Sequence, residues 1–260
     1  MIGLALKSIR VLICRPEPSA SELANVLSAV GAECKCLPTL EVTRLELSGS
    51  DRQKIINLDQ YKHIIVVSQH AGQYASELID NYWPQAPIGQ NWFAIGRKTV
   101  ESLSSMEIQL QSPSGDLNSE ELLKHTLLQS VNNERILLIK GREGRTKIQG
   151  VLSQRGACVE TVELYQRKAS VYETDHIKNQ LSLFKPDYIV ALSGETLENL
   201  ISLGKQANIP LNDYRFILPS TRVANIAFEN ELKFTHVVNN LMPIDIIKAI
   251  SRAEAQKTSK

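Results

Sequence analysis

The sequence predicts an α/β protein of two similar lobes, each a parallel sheet of about five strands flanked by helices and joined by a two-segment β hinge. Three observations carry that prediction. Val26-Leu27-Ser28-Ala29-Val30-Gly31-Ala32 returns as Val151-Leu152-Ser153-Gln154-Arg155-Gly156-Ala157, with five identities in seven. Upstream, the apolar run Val11–Cys14 ending in Arg15 lines up with Ile136–Ile139 ending in Lys140; downstream, the run ending in Ser68 lines up with the one ending in Ser193, at the same offset of 125 (193 − 68). Finally, apolar strand-like runs alternate with helical stretches along the whole chain, the pattern of parallel sheets covered by helices. A duplicated unit of this kind predicts a ligand cleft between its copies.

The elements follow in order. Strands are predicted near 9–14, 33–37, 62–67, 91–95, 107–111, 135–139, 157–162, 187–192, 214–218 and 234–238, with helices between them. Among these helices are Ser21 to Val30, Ala71 to Tyr82, Ser119 to Leu128 and Thr146 to Arg155. Gly31 and Gly156 follow the last helical residues, where a left-handed C-cap costs glycine least. The polar residues opening Ser119-Glu120-Glu121-Leu122-Leu123 read as helix capping. Pro243 opens the final helix, where its missing N–H is not needed, and the tail from about Ala253 reads as frayed.

Two equivalent segments decide the domain reading. Cys36-Leu37-Pro38-Thr39-Leu40-Glu41-Val42 and Thr161-Val162-Glu163-Leu164-Tyr165-Gln166-Arg167 correspond under the repeat, and both look extended. If each crosses between lobes, residues 1–38 with 168–260 form one discontinuous lobe and 39–167 the other. A single split near the middle of the chain is the alternative.

Composition narrows the function classes. With 29 basic against 28 acidic residues in 260, no general field attracts nucleic acid or an anionic membrane. The apolar stretch at Met1–Arg10 is too short for a secretory signal, and no run reaches the length of a transmembrane helix, so the expected location is cytoplasmic. Cys14, Cys34, Cys36 and Cys158 read as buried, reduced thiols rather than a zinc site, because Cys34 and Cys36 have no second pair and no spaced histidines.

In open α/β sheets, ligands bind beyond the carboxyl ends of strands, where helix N-termini present free N–H groups. That rule selects Arg15, Ser68, Gln69, His70, Gly96, Arg97, Ser193, Gly194, Ser220 and Thr221, with Gly141-Arg142-Glu143-Gly144-Arg145 after the strand 135–139. Hydroxyl, glycine and arginine at so many strand ends fit a polyanionic ligand held largely by backbone amides. Each also has a plain structural reading: the serines as N-caps, Arg142 and Arg145 as solvated charges, Tyr165 as a packing residue. The histidines form no metal-spaced pair, and the nucleophile-elbow, zincin and dinucleotide patterns are missing. The residues alone reach a two-lobed α/β protein that binds a carboxylate- or phosphate-rich ligand without metal or nucleotide cofactor.

From Val11 to about Ile250 the chain resembles the uroporphyrinogen-III synthase family. The ordered set is Arg15-Pro16, Ser68-Gln69-His70-Ala71, Phe93-Ala94-Ile95-Gly96-Arg97-x-Thr99, Pro113 with the Ser119 helix, Leu137-Leu138-Ile139-Lys140-Gly141-Arg142-Glu143-Gly144-Arg145, Gly156-Ala157, Tyr165-Gln166-Arg167, Ser193-Gly194-Glu195 and Ser220-Thr221-Arg222-x-Ala224. Lys140, in place of the usual arginine, and Pro219 before Ser220 depart from the family pattern. The resemblance implies conversion of hydroxymethylbilane to uroporphyrinogen III with inversion of ring D, through an azafulvene and a spiro intermediate, with no cofactor. It implies that Tyr165 assists departure of the hydroxyl, and that Ser68, Ser193, Ser220 and Thr221 contact substrate carboxylates. It further implies a monomer, with at most a transient contact with the upstream bilane-forming enzyme. Two other readings share the architecture: a non-catalytic tetrapyrrole- or carboxylate-binding module, and a periplasmic-type solute receptor, against which the missing signal peptide speaks.

Overall fold

The computed structural model describes residues 6–111, 118–142, 144, 146–238 and 240–258. The chain divides into two compact units, Met1–Val42 with Lys168–Lys260, and Thr43–Arg167. Strands are β1 (Arg10–Ile13), β2 (Glu33–Cys36), β3 (Leu40–Arg44), β4 (His63–Val66), β5 (Asn91–Ala94), β6 (Arg135–Gly141), β7 (Cys158–Ala169), β8 (Tyr188–Val190), β9 (Arg215–Leu218) and β10 (Phe234–Val237). Helices are α1 (Ser19–Ala29), α2 (Gly49–Ile56), α3 (Gln69–Tyr82), α4 (Arg97–Ser102), α5 (Ser119–Lys124), α6 (Lys147–Gln154), α7 (Thr174–Lys178), α8 (Gly194–Gln206), α9 (Thr221–Glu229) and α10 (Pro243–Thr258).

The first unit carries the five-stranded sheet β10-β9-β8-β1-β2, parallel throughout. Successive side chains of a strand point to opposite faces, so a strand covered on both sides must be apolar at every position. Leu12 and Cys14 enter a core with Leu197, Leu200 and Ile201 of α8, whereas Val11 and Ile13 enter another with Leu23 and Leu27 of α1 and Ile246 and Ile250 of α10. The second unit carries β3-β7-β6-β4-β5. Its core joins Ile65, Phe93, Ile136 and Leu138 to Leu122 and Leu123 of α5 and Ile148 and Leu152 of α6. Strand order reverses between β1 and β8 in one sheet and between β6 and β4 in the other. The two switch points are equivalent under the sequence repeat.

The glycine caps form as predicted, with φ of +97° at Gly31 and +87° at Gly156. Other predictions need correction. Residues 107–111 make an isolated bridge, Leu110 to Trp92, rather than a strand. Glu107 sits in the left-handed region at φ 51°, closing the 3-10 turn Ser104–Met106, which leaves little extended chain to pair. The parallel pattern fails at one edge: Leu45 N–H bonds Leu164 O while Ser170 N–H bonds Thr39 O, so β3 runs antiparallel to β7. The helix from Ser119 stops at Lys124 because His125 is extended, and its cap is Asn118, whose side chain accepts from Glu121 N–H. The tail is not frayed at Ala253: α10 continues to Thr258, and Ala253 is packed in the first unit's core. Cys14 is buried, Cys34 and Cys36 are half-buried, but Cys158 is exposed, because burial along β7 begins only at Val162. Pro113, Glu143 and Arg145 lie outside the described residues. Among the described residues no helix is long and apolar enough to cross a membrane.

Candidate active site

In the second unit the switch point gathers Ser68, His70, Gly141 and Tyr165. The register of β6 against β7 is regular from Arg135 to Lys140 and then shifts by one residue, so that Gly141 pairs with Tyr165. A one-residue slip turns a strand's side chains to the other face, and such irregularities re-aim side chains next to functional sites. Here the slip lays the Tyr165 ring over Gly141. A Cβ on Gly141 would fall 2.5 Å from Tyr165 Cζ, so only glycine leaves room for the phenol.

The ring is 8% exposed. His70 meets it edge-on at 5.6 Å between centroids, and Tyr74 flanks it at 6.4 Å. Its hydroxyl lies 2.9 Å from Ser68 Oγ. Ser68 is the N-cap of α3 and accepts from Ala71 N–H at 3.2 Å. Burial, and then the charges of Lys98 and Arg167, lower the His70 pKa.

The loop after β6 is drawn back onto β7. Arg142 N–H donates to Tyr165 O at 2.8 Å, and Gly144 N–H to Gly141 O at 3.0 Å. Lys140 is buried; its Nζ donates to Gly144 O at 3.4 Å and lies 3.8 Å from Glu163 Oε1. Arg142 keeps its guanidinium in solvent with Nε 3.4 Å from Glu163 Oε2. Gly96 caps α4 at φ +84°, and Arg97 is 84% exposed and paired with Glu101, so neither joins the Tyr165 cluster. Gln69, half-buried, opens α3 beside Ser68.

The first unit presents an equivalent row. Arg15 follows β1 half-buried, and desolvation lowers its pKa against the opposing pull of Glu22. Ser193 caps α8 by accepting from Thr196 N–H at 3.1 Å, and its hydroxyl donates to Thr196 Oγ1 at 2.8 Å. Gly194 is buried so closely that a Cβ would sit 3.1 Å from Ile226 and 3.6 Å from Arg222 Nη1. Ser220 caps α9 through Val223 N–H, with Thr221 exposed as its first residue. Buried Thr39 fixes the N-terminal turn of α8, donating to Thr196 O at 2.9 Å and accepting from Asn199 Nδ2 at 2.9 Å.

The sequence places Gly141 in a ligand loop and Ala71 beside Ser68, but it does not mark Gly141 as the seat of a phenol, and it gives no sign of Tyr74, which is visible only once α3 is placed against β6 and β7.

These features define a class: a chain of two doubly wound α/β units, each with serine-capped helices beyond the carboxyl ends of its strands. The family model described as "Uroporphyrinogen-III synthase HemD" matches residues 21–238, and the chain belongs to the uroporphyrinogen-III synthase family. It is similar to the uroporphyrinogen-III synthase of Escherichia coli K12, at 29% identity over 92% of this chain and 99% of that one. It is also similar to that of Salmonella typhimurium LT2, at 28% identity over the same shares. Its fold matches a mutant uroporphyrinogen III synthase of the extreme thermophile Thermus thermophilus with TM-score 0.63, at 14% identity over 96% of this chain and 100% of the other. The Helicobacter pylori enzyme gives TM-score 0.58, at 12% identity over 94% and 99%. Membership makes the chain an enzyme, a lyase of porphyrin and haem biosynthesis.

Proposed function

We propose that this enzyme closes hydroxymethylbilane to uroporphyrinogen III, inverting ring D through an azafulvene and a spiro intermediate, with no cofactor. The observation that carries the chemistry is the Tyr165 phenol, seated over Gly141 and bonded to Ser68 at the N-terminus of α3. Tyr165 protonates the departing hydroxyl, and water leaves. The azafulvene cation so formed is attacked within the same molecule, and loss of a pyrrole proton at the last closure restores the phenol, so that water is the only by-product.

The polar strand ends bind the substrate's carboxylates. Arg15, Arg142 and Arg145 supply charge, while Gln69, His70, Gly96, Arg97, Gly144, Ser193, Gly194, Ser220 and Thr221 supply N–H and hydroxyl donors. A flexible bilane folded by many such contacts reaches the inverting geometry, whereas free in water it closes without inversion. The enzyme works as a cytoplasmic monomer, receiving the bilane from the enzyme that makes it.

The test is conversion of freshly prepared hydroxymethylbilane, with type III and type I products separated by chromatography. Type III product is expected; exclusively type I product from folded protein refutes the reading. Ser193→Ala and Thr221→Ala are each expected to lower the rate tenfold or less, about 1.4 kcal/mol, because backbone donors share the binding. Tyr165→Phe, which keeps the ring and removes the proton, is expected to lose more.

A further inference from the structure

The duplicated caps have diverged in one respect. Ser68 and Ser193 have the same backbone conformation, φ −160° and ψ 160° against φ −156° and ψ 160°, and each accepts from the N–H three residues on. A serine hydroxyl has a single proton to donate. In the first unit that proton is engaged by Thr196 Oγ1 at 2.8 Å. In the second unit the residue three on is Ala71, buried and without a hydroxyl, and Ser68 Oγ lies 2.9 Å from Tyr165 OH instead.

We infer that Ser68 is a positioning residue for Tyr165: it donates to the phenolic oxygen and so turns the phenol's own proton outward, a role opened by alanine at position 71. The inference rests on the acid role proposed for Tyr165. Ser68 Oγ already accepts the Ala71 N–H at the positive end of the 14-residue helix α3. An oxygen that accepts one hydrogen bond is a stronger donor of its own proton, and the helix terminus adds to the polarisation. Donation from Ser68 to Tyr165 therefore holds the phenol ready to give, and remains as a bond to the phenolate once it has given. The Tyr165 proton passes to the hydroxyl oxygen of the bilane, the C–O bond breaks, and water departs. The phenolate regains its proton from the pyrrole carbon released at the final closure.

The experiment measures kcat and KM on hydroxymethylbilane for Ser68→Ala, Ser68→Thr, Ala71→Thr, Tyr165→Phe and the Ser68→Ala/Tyr165→Phe pair, each checked for fold by circular dichroism. Ser68→Ala is expected to lower kcat about tenfold with KM within about twofold. Threonine at 68 keeps cap and hydroxyl and restores kcat. Ala71→Thr supplies the competing hydroxyl seen at Thr196 and lowers kcat with Ser68 still present. In the Tyr165→Phe background, Ser68→Ala has no further effect on kcat. A Ser68→Ala enzyme at full kcat beside a slow Tyr165→Phe enzyme overturns the inference alone. So does an equal loss from Ser68→Ala with and without Tyr165, which would place the serine on the substrate directly. A Tyr165→Phe enzyme at full rate overturns the acid role on which the inference stands.

Discussion

Gly141→Ala tests the seat of the phenol more sharply than any change to the phenol itself. The backbone of Gly141 lies outside the left-handed region, so alanine meets no conformational penalty there. The added Cβ, however, would fall 2.5 Å from Tyr165 Cζ, 2.6 Å from Cε2 and 3.0 Å from Cε1. Carbon atoms rest at roughly 3.5–4.0 Å, so a rigid ring must withdraw by about 1 Å. A hydroxyl now 2.9 Å from Ser68 Oγ would then pass out of hydrogen-bond range. Overpacking costs about 1–3 kcal/mol and the lost hydrogen bond about 1 kcal/mol, so stability falls by roughly 2–4 kcal/mol. Misplacing a catalytic group by 1 Å costs on the order of 100-fold, and kcat is expected to fall to the level of Tyr165→Phe. Urea unfolding and steady-state kinetics on fresh bilane read the two effects. Gly150→Ala is the control, since nothing lies within 4 Å of its Cβ and it sits inside α6. That change is expected to stabilise by up to about 1 kcal/mol with kcat unchanged. A Gly141→Ala protein with wild-type stability and kcat would refute the steric argument.

Two further outcomes follow from the titratable groups. His63 is buried at the start of β4, with Nε2 2.8 Å from Glu134 Oε2 and Nδ1 3.3 Å from Asn91 Nδ2. Asn91 Oδ1 accepts from Gln111, so its amide donates to Nδ1 and the imidazole is neutral. Burial lowers the His63 pKa and outweighs Glu134, with Lys62 and His125 adding to the fall. The folded value therefore lies below the unfolded one near 6.5, and stability present above that pH is lost as pH drops through it, by at most about 1.4 kcal/mol per pH unit for one group. His63→Gln should flatten the decline in urea midpoint between pH 7 and pH 5, leaving the share of His70 and His236, which burial also lowers; an identical decline in both proteins contradicts this assignment. Among the thiols, Cys14 is buried with its pKa raised, Cys36 is pushed up to about 11 by burial and nearby Glu17, and Cys158 is exposed. A disulfide reagent at pH 8 should label Cys158 first and Cys14 only on unfolding; early labelling of Cys14, read by mass spectrometry, would contradict the packing of β1.

Periodicity and repeat sufficed for the α/β class, because a strand covered on both faces must be apolar at every position and a duplicated unit must repeat its caps and turns. Gly31 and Gly156 belong to that legible set, since a left-handed residue after a helix leaves its mark in the residue type itself. So do Ser68 and Ser193, whose capping depends on the three residues that follow. Edges were less legible. Residues 107–111 look like a strand but make one bridge, and Cys158 looks buried but is not, because coverage by neighbouring elements is not written in a local window. The composition of the site was decided last, by tertiary structure alone. Tyr165 and Ser68 lie 97 residues apart, and their bond exists because β7 slips by one residue against Gly141. Whether a capping serine's hydroxyl meets a neighbouring hydroxyl or a phenol depends on Ala71 against Thr196 together with that slip. No local pattern encodes the pairing, because it is a property of three packed elements and not of any one of them.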